Sequence, residues 1–230
     1  MRLDKFLSSA KTLSRSETAA AVKKGRICVN SQIAKKADMK VDENSDVITL
    51  DGRVISYCEF IYIMLNKPSG YVSATTDRNA PYVTELLDEK LRRYELFPVG
   101  RLDKYTLGLM ILTNDGATAH RLLSPKHHAK KVYRFTVAKP LEHIAQLESG
   151  VHIEGGYLTK PCEVKKLSEK EGEITLTEGK YHQIKQMMHA VGNEIVTLER
   201  ISFAGIGLDP KLDRGEYREL TKEEIELLKG

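Results

Sequence analysis

Two runs of almost unbroken apolar residues stand out along the chain, Ile61-Tyr62-Ile63-Met64-Leu65 and Leu107-Gly108-Leu109-Met110-Ile111-Leu112-Thr113. Runs of this length bounded by turn residues predict buried strands. Val132 to Ala138 alternates apolar and polar residues as a half-buried strand does, and Glu173 to Thr177 and Ile195 to Ile201 predict two more strands. Helical spacing appears elsewhere. Leu3, Phe6 and Leu7 fall on one helical face, and Ser14-Arg15-Ser16-Glu17 has the spacing of a capping box that opens a second helix. Gly25 is placed to end that helix. Thr84 to Arg93, Asp115 to Leu123 and Tyr181 to Val191 predict three further helices, the second stopped before Pro125 and the third at Gly192-Asn193. Thr221 to Glu224 repeats the capping-box spacing and begins a short terminal helix.

Strands and helices are thus mixed without strict alternation. The pattern predicts an α+β protein with a mixed, mainly antiparallel sheet flanked by helices, not a doubly wound parallel sheet. The first forty or so residues predict a small helical module with a strand pair. Arg26-Ile27-Cys28-Val29 is the first strand, Asn30-Ser31 its turn, and Val47-Ile48-Thr49-Leu50 a closing strand. A boundary between Asp51 and Glu59 divides the chain into a module over 1–55 and a larger domain over 60–230. A chain of 230 residues is long enough to give both a core.

Charge refines this division. The net charge is only +4, but residues 1–40 hold ten Lys and Arg against three Asp and Glu. Between Asp115 and Glu142 no acidic residue occurs, while Arg121, Lys126, Lys130, Lys131, Arg134 and Lys139 lie there with His120, His127 and His128. A third basic run is Lys180-Tyr181-His182-Gln183-Ile184-Lys185. Acid-free basic runs favour a polyanion through counterion release, and nucleic acid is the expected partner. Cys28, Cys58 and Cys162 offer neither a disulfide framework nor paired zinc spacing and read as small apolar residues. The histidines read as an RNA-facing loop in preference to a metal site. No apolar run approaches membrane-spanning length, and Met1 to Lys5 does not resemble a signal peptide, so a cytoplasmic protein is expected.

The candidate chemistry centres on Gly100-Arg101-Leu102-Asp103, a turn between two apolar stretches. Rigid elements on either side can fix the Asp103 carboxylate closely enough for a nucleophile. Asp in a tight turn is also an ordinary turn former, so the rest of the chain decides. It holds neither a Gly-x-Gly-x-x-Gly loop after a strand nor a Walker loop.

Four segments in order resemble the motifs of the pseudouridine synthases that act on ribosomal RNA: Asn66-Lys67-Pro68-Ser69-Gly70, Gly100-Arg101-Leu102-Asp103, Lys131-Val132-Tyr133, and Glu178 to Met187. The wording is most similar to the branch that modifies small-subunit (16S) rRNA. The resemblance implies that Asp103 is the nucleophile. It implies that Tyr133 stacks on an extruded uridine and accepts a proton at its carbon 5, and that Lys185 supplies a cation beside the carboxylate where most relatives have arginine. Leu198 then packs under the base, Arg101 helps to flip it or holds phosphate, and Lys130, Lys131 and His182 face RNA. The first motif is implied to be a structural turn near the cleft. The N-terminal pattern resembles the alpha-L RNA-binding module of ribosomal proteins, and this implies that Lys11, Arg15, Lys23, Lys24 and Arg26 face phosphates. The implied partner is 16S rRNA or a small-subunit assembly intermediate, met by a monomer that needs no metal and no cofactor. Rival readings are a large-subunit rRNA pseudouridine synthase, a non-catalytic rRNA-binding assembly factor, and a small-molecule isomerase or hydrolase.

Overall fold

A computed structural model describes the chain except for Asn44, Ser56, Pro125, Lys126 and His128. It divides into two compact units, Met1–Phe60 and Ile61–Gly230. The division falls just beyond the expected interval because Tyr57 still packs on Phe6, with ring centroids 5.3 Å apart.

The first unit contains α1 (Leu3–Ser9), α2 (Arg15–Lys23) and the strands β1 (Ile27–Val29), β2 (Gln32–Ile33), β3 (Ile48–Leu50) and β4 (Arg53–Val54). The strands form an antiparallel sheet in the order β2-β1-β3-β4. The capping box forms as the spacing predicts: the Ser14 hydroxyl accepts from the Glu17 N–H, and Glu17 Oε2 accepts from the Ser14 N–H at 2.7 Å. Leu3, Phe6, Leu7, Ala21, Ile27 and Ile48 make the core. At about 25 cal/mol per Å² such burial drives the folding of even a small unit.

The second unit contains β5 (Tyr62–Lys67), α3 (Glu89–Arg92), β6 (Phe97–Pro98), β7 (Leu107–Thr113), α4 (Gly116–Leu123), β8 (Lys131–Val137) and α5 (Ile144–Ser149). It continues with β9 (His152–Ile153), β10 (Tyr157–Leu158), β11 (Glu163–Lys166), β12 (Glu171–Leu176), α6 (Gln183–Ala190), β13 (Ile195–Phe203), β14 (Ile206–Gly207), β15 (Tyr217–Glu219) and α7 (Lys222–Lys229). One large sheet runs β11-β12-β8-β13-β7-β5-β15, with β14 on β13 and β6 on β7. Its pairings are antiparallel except that of β13 with β7. The expected α+β class and mainly antiparallel sheet are thus observed. The central strands β5 and β7 are buried almost throughout, as continuous apolar runs require. Among the described residues no helix is long and apolar enough to cross a membrane.

Three expectations need correction. The helix expected over Thr84 to Arg93 is a 3₁₀ turn, Val83–Leu86, followed by α3. Asp88 interrupts it by capping α3, its carboxylate accepting from the Leu91 N–H at 2.7 Å. Asn66 and Lys67 do not begin a turn but complete β5, because they pair with Leu109 and Gly108 of β7. Cys58 is exposed, its thiol donating to the Phe60 carbonyl at 2.9 Å, while Cys28 and Cys162 are half-buried.

Candidate active site

A cavity of about 440 Å³ opens where β7, β8 and β13 lie side by side and α6 begins. Each wall has a local reason. Between β6 and β7 the chain turns through Gly100, at φ +80°, and Asp103 lies at the cavity wall with about a quarter of its side chain exposed. Gly108, at φ +96°, then lets β7 approach β13. A Cβ there would stand 2.3 Å from the Arg200 carbonyl oxygen, so no other residue fits without moving the strand.

The Asp103 loop is clasped from below. Lys67, fully buried at the end of β5, donates from Nζ to the carbonyls of Pro68 (3.1 Å), Lys104 (3.0 Å) and Thr106 (2.8 Å). Gly70 donates its N–H to the Lys104 carbonyl at 2.9 Å. Ser73 Oγ accepts from the Leu102 N–H at 2.9 Å and donates to the Leu102 carbonyl at 2.7 Å. Burial pushes the Lys67 ammonium down to about 8, against the attraction of Asp103 and with added repulsion from Arg200. The Asn66-Lys67-Pro68-Ser69-Gly70 segment therefore holds the Asp103 loop through a buried charge.

The opposite wall comes from the start of α6. His182 has a left-handed backbone (φ +47°), which delays the helix from the expected Tyr181 to Gln183. His182 Nε2 lies 3.6 Å from Asp103 Oδ1, and Lys185 Nζ lies 3.5 Å from Asp103 Oδ2. Tyr181 stacks on the His182 ring with centroids 3.8 Å apart. Glu178 anchors this turn. Its carboxylate accepts from the Tyr157 hydroxyl (2.7 Å), the Lys160 N–H (2.9 Å) and the Gln183 amide (2.8 Å). Burial would raise Glu178, but these donors hold it below the usual carboxylate range.

The floor is the β8–β13 ladder. Tyr133 and Leu198 are buried and line the cavity, as does Lys131. Lys131 is one of the residues expected to face RNA, and it lines the cavity. It is half-buried, with Nζ donating to the Ala129 carbonyl at 3.0 Å and lying 5.8 Å from the Phe203 ring centroid, and burial pushes it down. Arg101 is exposed at the cavity rim. Lys130 is exposed and does not line the cavity. In the first unit Lys11, Arg15, Lys23, Lys24 and Arg26 are all exposed, but Arg26 is held bidentately by Asp51 at 2.8 and 2.5 Å. A phosphate there has to compete with Asp51. His128 and Lys126 lie outside the described residues. Among those described, no three His, Cys, Asp or Glu side chains gather as metal ligands.

Comparison with known proteins shows the family to which the chain belongs. Residues 61–190 match the RNA pseudouridylate synthase family, and residues 1–47 match the S4 domain. The chain belongs to the RNA pseudouridine synthase family. It is 48% identical, over 99% of its length and 98% of the relative's, to the uncharacterized RNA pseudouridine synthase YtzG of Bacillus subtilis. It is 39% identical to ribosomal small subunit pseudouridine synthase A of Escherichia coli K12, over 98% of both chains. A crystal structure of a pseudouridylate synthase superposes with a TM-score of 0.71 at 37% identity, covering 99% of each chain. Asp103, Tyr133 and Lys185 all line this one cavity. Two further charged residues that line the cavity, Glu178 and Arg200, have no role in the sequence reading. Glu178 lay within a quoted motif without a role, and Arg200 was simply part of a strand. A charged residue two places after Leu198 in a buried strand was the available signal.

Proposed function

We propose that this protein converts a uridine of 16S rRNA, free or in a small-subunit assembly intermediate, to pseudouridine, with Asp103 as nucleophile. The observation that carries this reading is the Lys185–Asp103 approach of 3.5 Å in the cavity that also contains Tyr133 and Leu198. The reaction breaks the bond between the ribose and base nitrogen 1, turns the base, and rejoins it through carbon 5. No electrons are gained or lost overall, so the chemistry calls for no redox cofactor.

The residues divide the work. Asp103 attacks substrate and forms the covalent intermediate, or takes a ribose proton if the base departs as its anion. Lys185 keeps a positive charge beside that carboxylate. Extruding the target base costs a few kcal/mol. Stacking on the Tyr133 ring and packing over Leu198 return part of it, roughly 1–3 kcal/mol for a stacked base. Tyr133 then accepts the proton from carbon 5. Arg101 and His182 flank the opening for phosphate or a neighbouring nucleotide. Lys11, Arg15, Lys23 and Lys24 of the S4 domain supply sequence-independent attraction to RNA. The enzyme acts as a monomer in this reading, and an rRNA substrate implies a cytoplasmic one. The small-subunit substrate is favoured over a large-subunit one by the relatives that carry the small-subunit name over nearly their whole length.

The test is a pseudouridine map of rRNA from cells lacking the gene, by carbodiimide modification and primer extension. One 16S position should lose the mark, regain it with the wild-type gene, and not regain it with Asp103→Asn. Restoration by Asp103→Asn removes the assigned nucleophile; a mark lost from the large subunit instead moves the enzyme to the other branch.

A further inference from the structure

Arg200 is the least expected residue in the cavity. It is 1% exposed, on the same strand as Leu198 and directly opposite Tyr133 in the β8–β13 register. Its Nε donates to the Leu109 carbonyl at 2.8 Å, and its guanidinium lies 5.0 Å from the Phe203 ring centroid. Among the described residues no carboxylate lies within ion-pair distance of it. Among the described residues the two buried side-chain atoms without a hydrogen-bond partner are Arg200 Nη2 and Thr106 Oγ1, and both residues line this one cavity. An uncompensated buried cation is costly. Burial pushes the Arg200 guanidinium down, and the group that opposes this is the Tyr133 hydroxyl. A structure that keeps such a charge next to one phenol is prepared for a negative charge that appears only during the reaction. Arg200 is only 1% exposed and stands opposite Tyr133 in the ladder, which points to Tyr133 as the group whose charge it meets.

We propose that Arg200 is a positioning residue for the proton transfer that completes the reaction, holding a fixed positive charge beside the Tyr133 oxygen so that this oxygen can exist as phenolate. The proposal rests on the reading of Tyr133 given above. Once the base has rejoined through carbon 5 and any bond from Asp103 to carbon 6 has broken, with the nitrogen 1 electron pair expelling the carboxylate, carbon 5 carries both hydrogen and ribose and a double bond joins nitrogen 1 to carbon 6. Tyr133 gives its hydroxyl proton to nitrogen 1 and, as phenolate, takes the proton from carbon 5. The electron pair of the broken carbon–hydrogen bond becomes the bond between carbons 5 and 6, and the pair between nitrogen 1 and carbon 6 goes to the new nitrogen–hydrogen bond. Tyr133 ends as phenol, and no other reactant is consumed.

The test compares wild type, Arg200→Met and Arg200→Lys on 16S rRNA transcripts containing uridine, 5-deuterouridine or 5-fluorouridine, in single turnovers read by nuclease digestion and mass spectrometry. Fluorine cannot leave carbon 5 as a cation, so 5-fluorouridine reports the steps up to rejoining, and uridine reports the whole reaction. Arg200→Met should slow pseudouridine formation by at least about 10²-fold, the lower end for loss of acid–base catalysis. It should change 5-fluorouridine rearrangement less than about threefold and gain a deuterium isotope effect larger than wild type's. Arg200→Lys keeps the charge and should fall between the two. In a Tyr133→Phe background Arg200→Met should cost little more. Equal losses on uridine and 5-fluorouridine with no added isotope effect overturn the proposal and leave a structural arginine. If Arg200→Met does not fold, Arg200→Lys carries the test: an isotope effect no larger than wild type's overturns it. Failure of wild type to form any pseudouridine would refute the proposed function itself, a result distinct from these.

Discussion

The two units use positive charge in opposite ways. In the S4 domain Lys11, Arg15, Lys23 and Lys24 stand exposed on short helices and loops. In the catalytic unit Lys67 and Arg200 are fully buried, Lys131 is half-buried, and each is tied to backbone carbonyls. Exposed cations are cheap to keep charged and gain affinity by releasing counterions, whatever the RNA sequence. Buried cations pay desolvation and are retained only where they fix geometry or meet a charge. Under the proposed function the first kind serves capture and the second serves chemistry, so substitutions in the two sets should separate along that line.

The largest expected effect comes from Lys67→Met. It leaves three buried carbonyls of the Asp103 loop without their shared donor. Each unsatisfied buried group costs about 1–3 kcal/mol, so thermal unfolding should move to lower temperature. A displaced nucleophile costs about 10²-fold in the chemical step even for a 1 Å error. RNA binding by filter retention should remain near wild type. Binding that falls in parallel with chemistry would merge the two sets of charges.

Lys67 also makes a prediction of sign. Its proton leaves at about 8 in the folded protein instead of the ordinary 10.5. Between those values the unfolded chain binds more protons than the folded one, so this group's contribution to stability rises with pH across that window. Activity should move the other way. A neutral amine has two N–H donors for three carbonyls, and the loop loosens as the ammonium disappears. Single-turnover rates should therefore fall about tenfold from pH 7 to pH 9, as expected for a group titrating near 8, while chemical denaturation at pH 9 shows no matching loss. The alkaline fall should be absent in Lys67→Met. If both proteins share it, another group is responsible.

How much of this was legible beforehand follows from the range of the forces involved. β7 spans the residues its apolar run predicts, and both capping boxes close as their spacing predicts, because those features depend on neighbours within a few residues. The Asp103, Tyr133 and Lys185 convergence was legible only through the resemblance of four motifs; nothing local connects residues 103, 133 and 185. Lys67 was taken for part of a turn because the carbonyls that capture it belong to residues 104 and 106, almost forty positions away. The left-handed turn at His182 and the β9–β10 hairpin gave no periodic signal, being short and set by tertiary contacts. The register that puts Arg200 opposite Tyr133 is likewise a property of the sheet and not of either strand.

A smaller effect is expected from one exposed cation of the S4 domain. Lys24→Ala should lower the slope of log affinity against log salt by about 0.8 and weaken rRNA binding about fourfold near 0.15 M salt, if one phosphate contact is lost. The single-turnover rate at saturating enzyme should not change. An unchanged slope removes Lys24 from the contact surface.

The smallest effect is the sharpest, because it reverses sign. Arg26 is exposed like its neighbours, yet Asp51 accepts from both Nε and Nη2 of its guanidinium, at 2.8 and 2.5 Å. An exposed pair of this kind adds little to stability, since water and salt screen it. Its consequence for RNA is larger than its consequence for folding: it neutralises one of the domain's cations. Asp51→Asn removes the competing charge while keeping the side chain's size, so it should tighten rRNA binding about twofold near 0.15 M salt and steepen the slope of log affinity against log salt by about 0.4, half of a full phosphate contact. Arg26→Ala should leave binding near wild type, because the arginine is already matched by a carboxylate. In the Asp51→Asn background the same Arg26→Ala change should weaken binding, and that non-additivity distinguishes a masked cation from an idle one. Weaker binding by Arg26→Ala alone would mean that RNA displaces Asp51 and that the exposed set includes Arg26 after all.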